Sequence, residues 1–276
     1  LGLVGSEMCI RDRYEVLLPH VRHRADLSYI IGELIGELNA GHAYVGGGDL
    51  PAVRKISTGQ LGAKLEKHEP SGYAKITRIL SGSTWDNGLA SPLAAPGVNA
   101  KAGEFIIAID NRPVNELASP YQALVNKAGK PVVIRLNSKP EANGARDVVV
   151  VPIDNEGQLY YREWVETNRK RVEAATQGKV GYLHVPDMLQ TGLNEFARQF
   201  YPQIKKSALI IDMRGNGGGN VSPMLIERLR REIAMVGIAR GTPPSTDPQA
   251  MIYGPMVCLM NEFSASDGDL FPYRFR

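Results

Sequence analysis

One stretch constrains the fold more than any other. The apolar run Ser207-Ala-Leu-Ile-Ile-Asp-Met213 leads directly into Asp212-Met-Arg-Gly-Asn-Gly-Gly-Gly-Asn220, and Ser222-Pro223 follows as a helix start. A continuous apolar run of this length reads as a strand buried on both faces, which is the habit of parallel sheets. Three successive glycines then form a tight turn, and serine with proline primes the next helix. The same alternation runs from Gln158 to the end. A helix is expected over 159–176, a strand over 180–185, and a helix carrying Leu193, Phe196 and Phe200. After the glycine turn come a helix with Leu225, Ile226, Leu229 and Ile233 and a strand over 255–260. Strands alternating with helices imply βαβ units, whose sites lie beyond the carboxyl ends of the strands.

The first half has a different texture. Leu27, Ile30, Ile31, Leu34, Ile35 and Leu38 form one helical stripe, with Asp26 as the expected cap and Gly41 as the stop. His42 and a short strand at 43–45 follow. From Gly59 to Ile153 short β runs are punctuated by glycine and proline, at 73–80, 105–110, 132–136 and 147–153. One short helix opens at Ser119-Pro120, carries Tyr121, Leu124, Val125 and Ala128, and stops at Gly129.

Composition narrows the function classes. The 276 residues are 43% hydrophobic with a formal net charge of +3, so the chain can bury a core and lacks an electrostatic case for nucleic acid or an anionic membrane. No apolar run approaches the ~18 residues of a membrane helix. Two cysteines, Cys9 and Cys258, cannot make a disulfide framework, and no Cys/His spacing suggests zinc. Residues 1–13 show no capping or periodic logic and resemble a translated sequencing adapter, so they are expected to be a non-native leader, Cys9 included.

Two motifs fall at strand ends. The glycine turn can cradle a phosphate, form an oxyanion hole or serve only as a tight turn. Asn220 stands where a dinucleotide loop needs glycine and no Gly-Lys-Ser/Thr is present, so the oxyanion reading is the better one. The second motif, Asn261-Glu-Phe-Ser-Ala-Ser-Asp-Gly-Asp269, sets a serine on a turn, as a nucleophile requires; a serine-rich helix cap looks similar. Its small residues Ser264, Ala265, Ser266 and Gly268 leave room for substrate. A serine needs a base. His20 and His23 sit among arginines, His68 in a charged loop and His184 within a strand; His42 sits at a glycine-marked helix end. Position alone leaves the choice open.

Strands around one short helix resemble a PDZ domain. The match includes Gly59-Gln-Leu-Gly62, similar to the loop that receives a peptide carboxylate, and Val98-Asn-Ala-Lys-Ala-Gly-Glu-Phe-Ile-Ile-Ala-Ile-Asp110. Peptide binding there would be strand addition to an open sheet edge, with Leu61 and Gly62 at the site. Taken together, Gly36-Glu-Leu-Asn-Ala-Gly-His-Ala-Tyr-Val45, Asp212–Asn220 and Asn261–Asp269 resemble a tricorn protease core and, more broadly, the tail-specific (C-terminal-processing) serine proteases.

That resemblance implies a multi-domain α+β chain. A helical segment over 14–56 carries His42, a PDZ-like β domain spans 57–155, and a truncated crotonase/Clp-protease-like α/β catalytic domain spans 156–276. It implies a serine endopeptidase with Ser266 as nucleophile, His42 as general base, and the amides of Asp267 and of Gly218 or Gly219 as the oxyanion hole. Peptides or unfolded protein would be the substrate, without metal or organic cofactor. A homo-oligomer, hexameric by the resemblance, and a cytoplasmic location are also implied. The tricorn pattern often has serine before the histidine, where this chain has Gly41, and its orienting glutamate lies downstream of Arg276. A fragment without that partner is expected to be weak or inactive. A non-catalytic ligand- or peptide-binding module on the same fold is the alternative, with a coenzyme A enzyme of crotonase-like fold a third.

Overall fold

A computed structural model describes residues 3–82 and 89–276; Leu1 and Gly2 of the expected leader lie outside them. The chain divides into two compact units, Leu1–Ile56 and Ser57–Arg276.

In the first unit the expected leader forms α1 (Leu3–Glu15), followed by a 3-10 turn at Leu18–His20 and by α2 (Arg24–Gly36). Arg13 bonds Glu37 at 2.7 Å and the Tyr14 hydroxyl donates to Glu37 at 3.0 Å, which ties the two helices. The cap of α2 differs from expectation. His23 is extended (φ −151°, ψ 169°) and occupies the N-cap, while Asp26 sits three residues in and completes a reciprocal capping box. The helix ends at Gly36, short of Gly41; Asn39 takes the left-handed turn at φ 49°. Residues 43–45 form no strand. Val45 instead lies over Gly32, where a Cβ would meet its methyl at 3.5 Å. The apolar stripe of α2 is half-buried within the described chain.

The second unit holds two hydrophobic cores. The first belongs to a six-stranded antiparallel sheet of β1 (Ala63–Lys67), β2 (Ala74–Ile79), β3 (Phe105–Ile109), β4 (Arg112–Pro113), β5 (Val132–Asn137) and β6 (Arg146–Val150), ordered β1-β2-β3-β5-β6 with β4 on β3. Ile76, Ile106, Ile109, Leu124, Ile134 and Leu136 are fully buried in it. Each such side chain contributes roughly 1.5–3 kcal/mol by leaving water. Asp110 and Asn111, at φ 48° and 60°, make the two-residue turn between β3 and β4. The helix expected from Ser119 is a short 3-10 segment, Pro120–Leu124, with the Ser119 hydroxyl accepting from the Tyr121 amide. It stops early because Val125 bridges Thr58 and the left-handed Asn126 donates its amide to Ser57.

The second core lies under a three-stranded parallel sheet of β7 (Val180–His184), β8 (Ala208–Asp212) and β11 (Met256–Leu259), in the order β11-β8-β7. Helix α3 (Gly157–Ala175) packs on β7 and buries Leu159 and Val165. Helices α4 (Gln190–Phe200), α5 (Ser222–Leu229) and α6 (Asp267–Phe275) complete the layer, with Phe200, Ile211, Leu225 and Phe271 fully buried or nearly so. Helix α5 stops at Leu229, so Ile233 lies beyond it and is exposed. An exposed hairpin of β9 (Met235–Gly237) and β10 (Ser245–Asp247) follows, which no sequence signal had suggested. Among the described residues no helix is long and apolar enough to cross a membrane.

Candidate active site

Strands β8 and β11 are parallel neighbours, so both motifs emerge at the same end of one sheet. They are then stitched together. Gly215 donates to the Asn261 side chain at 2.9 Å, Ala265 donates its amide to the Asn216 carbonyl at 2.9 Å, and the Ser264 hydroxyl donates to the Met213 carbonyl at 2.9 Å. Ser264 is therefore a turn tie. Gly268 likewise leaves space for Asn216, against which a Cβ would collide, and not for substrate.

Ser266 caps α6 and is exposed. Its backbone sits at φ 53°, ψ −128°. The other positive-φ residues outside glycine are mostly Asn and Asp, which tolerate the left-handed helical well. Ser266 lies outside that well, a conformation that costs a non-glycine residue about 1–3 kcal/mol and persists where neighbours enforce it. The neighbour here is Gly218. A Cβ at Gly218 would stand 2.7 Å from the Ser266 Cβ and 3.0 Å from the Asp267 amide, so only glycine lets the loop approach the serine turn.

The loop amides divide by their acceptors. Gly218 donates to the Asn216 Oδ1 at 2.9 Å, and the buried Asn216 donates its own amide group to the Val185 carbonyl at 3.0 Å. Gly219 pairs with Met188 as a one-residue parallel bridge, in which Met188 bonds the Gly218 carbonyl and the Asn220 amide. That pairing turns the exposed Gly219 amide away from Met188. A Cβ at Gly219, where φ is 149°, would collide with the Met188 backbone. The Asp267 side chain is nearly fully buried and accepts from the Ser222 amide at 2.9 Å and from Arg274 at 3.0 Å, which anchors the start of α6 to the start of α5. Its carboxylate faces α5 while its amide faces the serine turn.

A polar network lies beneath the loop. Asp212 is fully buried, paired with Arg214 at 2.6 Å, and accepts from the Tyr182 hydroxyl at 2.7 Å. Burial pushes its carboxyl up, but the Arg214 and Tyr182 donors outweigh that and hold it below the ordinary carboxylate value. Arg214 stacks over Trp164. His184 is buried, with its Nε2 2.9 Å from the Arg214 carbonyl and its Nδ1 3.0 Å from the Tyr161 hydroxyl. A carbonyl only accepts, so Nε2 carries the proton and Nδ1 accepts from Tyr161. Burial lowers its pKa below 6.5. His184 is thus a packed histidine. Cys258 in β11 is no rival nucleophile, because burial pushes its thiol up to about 12.

Among the remaining histidines, His23 caps α2 and His68 bonds Ser71 at 2.8 Å. His42 is exposed in the first unit, 6.5 Å ring to ring from Tyr44. At the start of β1, Leu61 is buried, and Gly62 takes φ 68° and donates its amide to Glu156 at 3.1 Å. No group of three or more His, Cys, Asp or Glu among the described residues is placed to hold a metal. Asn216 and Met188 were not singled out in the sequence; Asn216 stood inside the glycine motif, and nothing marked Met188.

An exposed, strained serine at a helix start, packed against a glycine loop, is an arrangement able to present a hydroxyl nucleophile beside backbone amides. Residues 179–276 match the model of peptidase family S41, and residues 59–155 match the tricorn protease PDZ domain. The resemblance is to tricorn in particular. The chain is 39% identical over 264 residues to tricorn protease homolog 1 of Streptomyces coelicolor, covering 95% of this chain and 24% of that protein. It is 35% identical to the tricorn protease of Thermoplasma volcanium, covering 97% of this chain and 26% of that one. The crystal structure of the tricorn protease superposes with a TM-score of 0.87 at 32% identity, over 97% of this chain and 26% of that one. The chain thus spans about a quarter of the length of the relatives it matches.

Proposed function

We propose that this chain carries the nucleophile and oxyanion site of a tricorn-type serine endopeptidase acting on peptides or unfolded protein. Ser266 Oγ attacks the scissile carbonyl and its proton passes to His42. The carbonyl oxygen, now negative, receives the amides of Gly219 and Asp267. Gly219 is preferred to Gly218 because the Gly218 amide already donates to Asn216. The intermediate collapses as His42 returns the proton to the leaving amine, and water then hydrolyses the acyl-serine by the same steps in reverse order. The Asp267 amide opens α6, whose dipole adds to the stabilisation of the oxyanion.

The PDZ-like domain assists by holding substrate along β1, with Leu61 and Gly62 at its end. The α/β segment is of crotonase/Clp-protease-like type. A hexamer working in the cytoplasm is part of the same reading and rests on the resemblance alone. The observation that carries the proposal is the backbone of Ser266, held off the ordinary wells against a glycine that admits it. Hydrolysis of a pool of internally quenched peptides tests it. Ser266→Ala and His42→Ala are expected to lower the rate to background. Undiminished hydrolysis in either variant removes that residue from its role, and a chain that binds peptide but takes no covalent serine reagent at Ser266 would favour the non-catalytic binding module.

A further inference from the structure

At the start of β1 the Gly62 amide is a donor built for an acceptor that the sheet does not supply. Its φ of 68° and the Ser91 hydroxyl and Pro92 ring lying against it leave no room for a side chain. The Gly62 carbonyl is already taken, by the Leu80 amide at 2.8 Å and the Ser91 hydroxyl at 3.1 Å. The amide alone points to the one carboxylate that reaches it, Glu156 Oε2 at 3.1 Å.

Three observations mark Glu156 as a removable occupant. It stands at the N-cap of α3, yet its side chain does not cap the helix; it reaches across to Gly62 instead. No lysine or arginine pairs with it among the described residues. Burial raises its pKa above 4.5, and the Gly62 and Ala63 amides only partly offset this. A half-buried carboxylate without a counter-charge keeps part of its desolvation cost, which leaving the site for water would recover.

The surroundings fit a peptide end. Strand β1 is the edge of its sheet. A cavity of about 200 Å³ separates Leu65 and Lys67 from Leu117, Pro120 and Tyr121. A chain added antiparallel to β1 runs with its carboxyl end towards Gly62. Tyr121, on the far wall, is close enough that the Glu156 charge acts with burial to raise its hydroxyl pKa.

We propose that Glu156 is a resident competitor in the peptide groove: its carboxylate occupies the Gly62 amide that the free carboxyl terminus of a bound peptide would take, so capture of such a terminus displaces it. This rests on the peptide-binding reading of Leu61 and Gly62. Displacement frees the residue that immediately precedes α3, the helix packed on β7, so the device joins the groove to the α/β segment.

Fluorescence anisotropy on the full chain tests this, with a labelled hexapeptide ending in valine as the free acid and again as the C-terminal amide. Glu156→Gln keeps the size of the side chain and loses its charge; Glu156→Ala removes the occupant. The free-acid peptide is expected to bind both variants at least fivefold tighter than the unaltered chain, while the amide peptide binds all three alike. A thermal melt of each protein checks that the fold is kept. Equal binding of the free acid to all three overturns the role of Glu156 and leaves the groove standing. No binding of either peptide to any of them overturns the peptide-binding reading together with the proposal.

Discussion

Ser266 stores strain where the chemistry is proposed. Alanine at 266 removes the hydroxyl and keeps the strained backbone, whereas glycine removes both. Glycine in place of alanine ordinarily costs about 0.5–1 kcal/mol, but at φ 53°, ψ −128° the strain relieved is about 1–3 kcal/mol. Ser266→Gly is therefore expected to be more stable than Ser266→Ala by about 1 kcal/mol in urea unfolding; the reverse order would show that the backbone is relaxed. Gly219→Ala is expected to cost about 3 kcal/mol or more, because its Cβ meets the backbone of Met188 and not a movable side chain. A loss below 1 kcal/mol in the same assay would mean that the bridge to Met188 is absent in solution. At this scale the serine turn was legible because small residues follow a buried strand, while the choice of Ser266 within it came from the resemblance. Asn216 was not, because its work is to satisfy a buried amide, and nothing in residue type announces which asparagine does that.

Among the elements, the start of α6 depends on Asp267 bonding the start of α5. A buried carboxylate accepting an amide at a helix start is a charge-assisted bond, worth about 1.5–3 kcal/mol. Asp267→Asn should lose that much by thermal or urea unfolding, and an unchanged stability would place the carboxylate in solvent. His184 sets a pH dependence. Its pKa is depressed by burial, so the unfolded chain takes up more protons below 6.5. Stability contributed by the neutral ring is present above pH 6.5 and is lost as pH falls. Unfolding free energies measured from pH 8 to 5 should decline with a slope that His184→Gln reduces, and an identical slope in the variant would contradict the assignment. Strands and long helices were readable from periodicity, because burial on one or both faces imposes it. The segment after Ser119 was not: its residues suit an α-helix, but pairing of Val125 with Thr58 draws the chain out after Leu124. The β9–β10 hairpin escaped because its strands are short and exposed and bury no face.

For the whole molecule, two cores in one unit explain why the sequence changes texture midway. The antiparallel sheet shows short runs broken by turns, and the parallel sheet shows apolar runs broken by helices. That contrast made the order of the parts legible, while the contacts between the two motif loops depend on strands 48 residues apart in the chain lying side by side, for example Ala208–Asp212 against Met256–Leu259. The central claim is that Ser266 is the nucleophile. Incubating the full chain with a fluorophosphonate and digesting it for mass spectrometry tests this most directly, since a covalent reagent accumulates even at a slow site. A single adduct on Ser266, absent from Ser266→Ala, is the predicted result. An unlabelled chain, or an adduct that persists in Ser266→Ala, would contradict it.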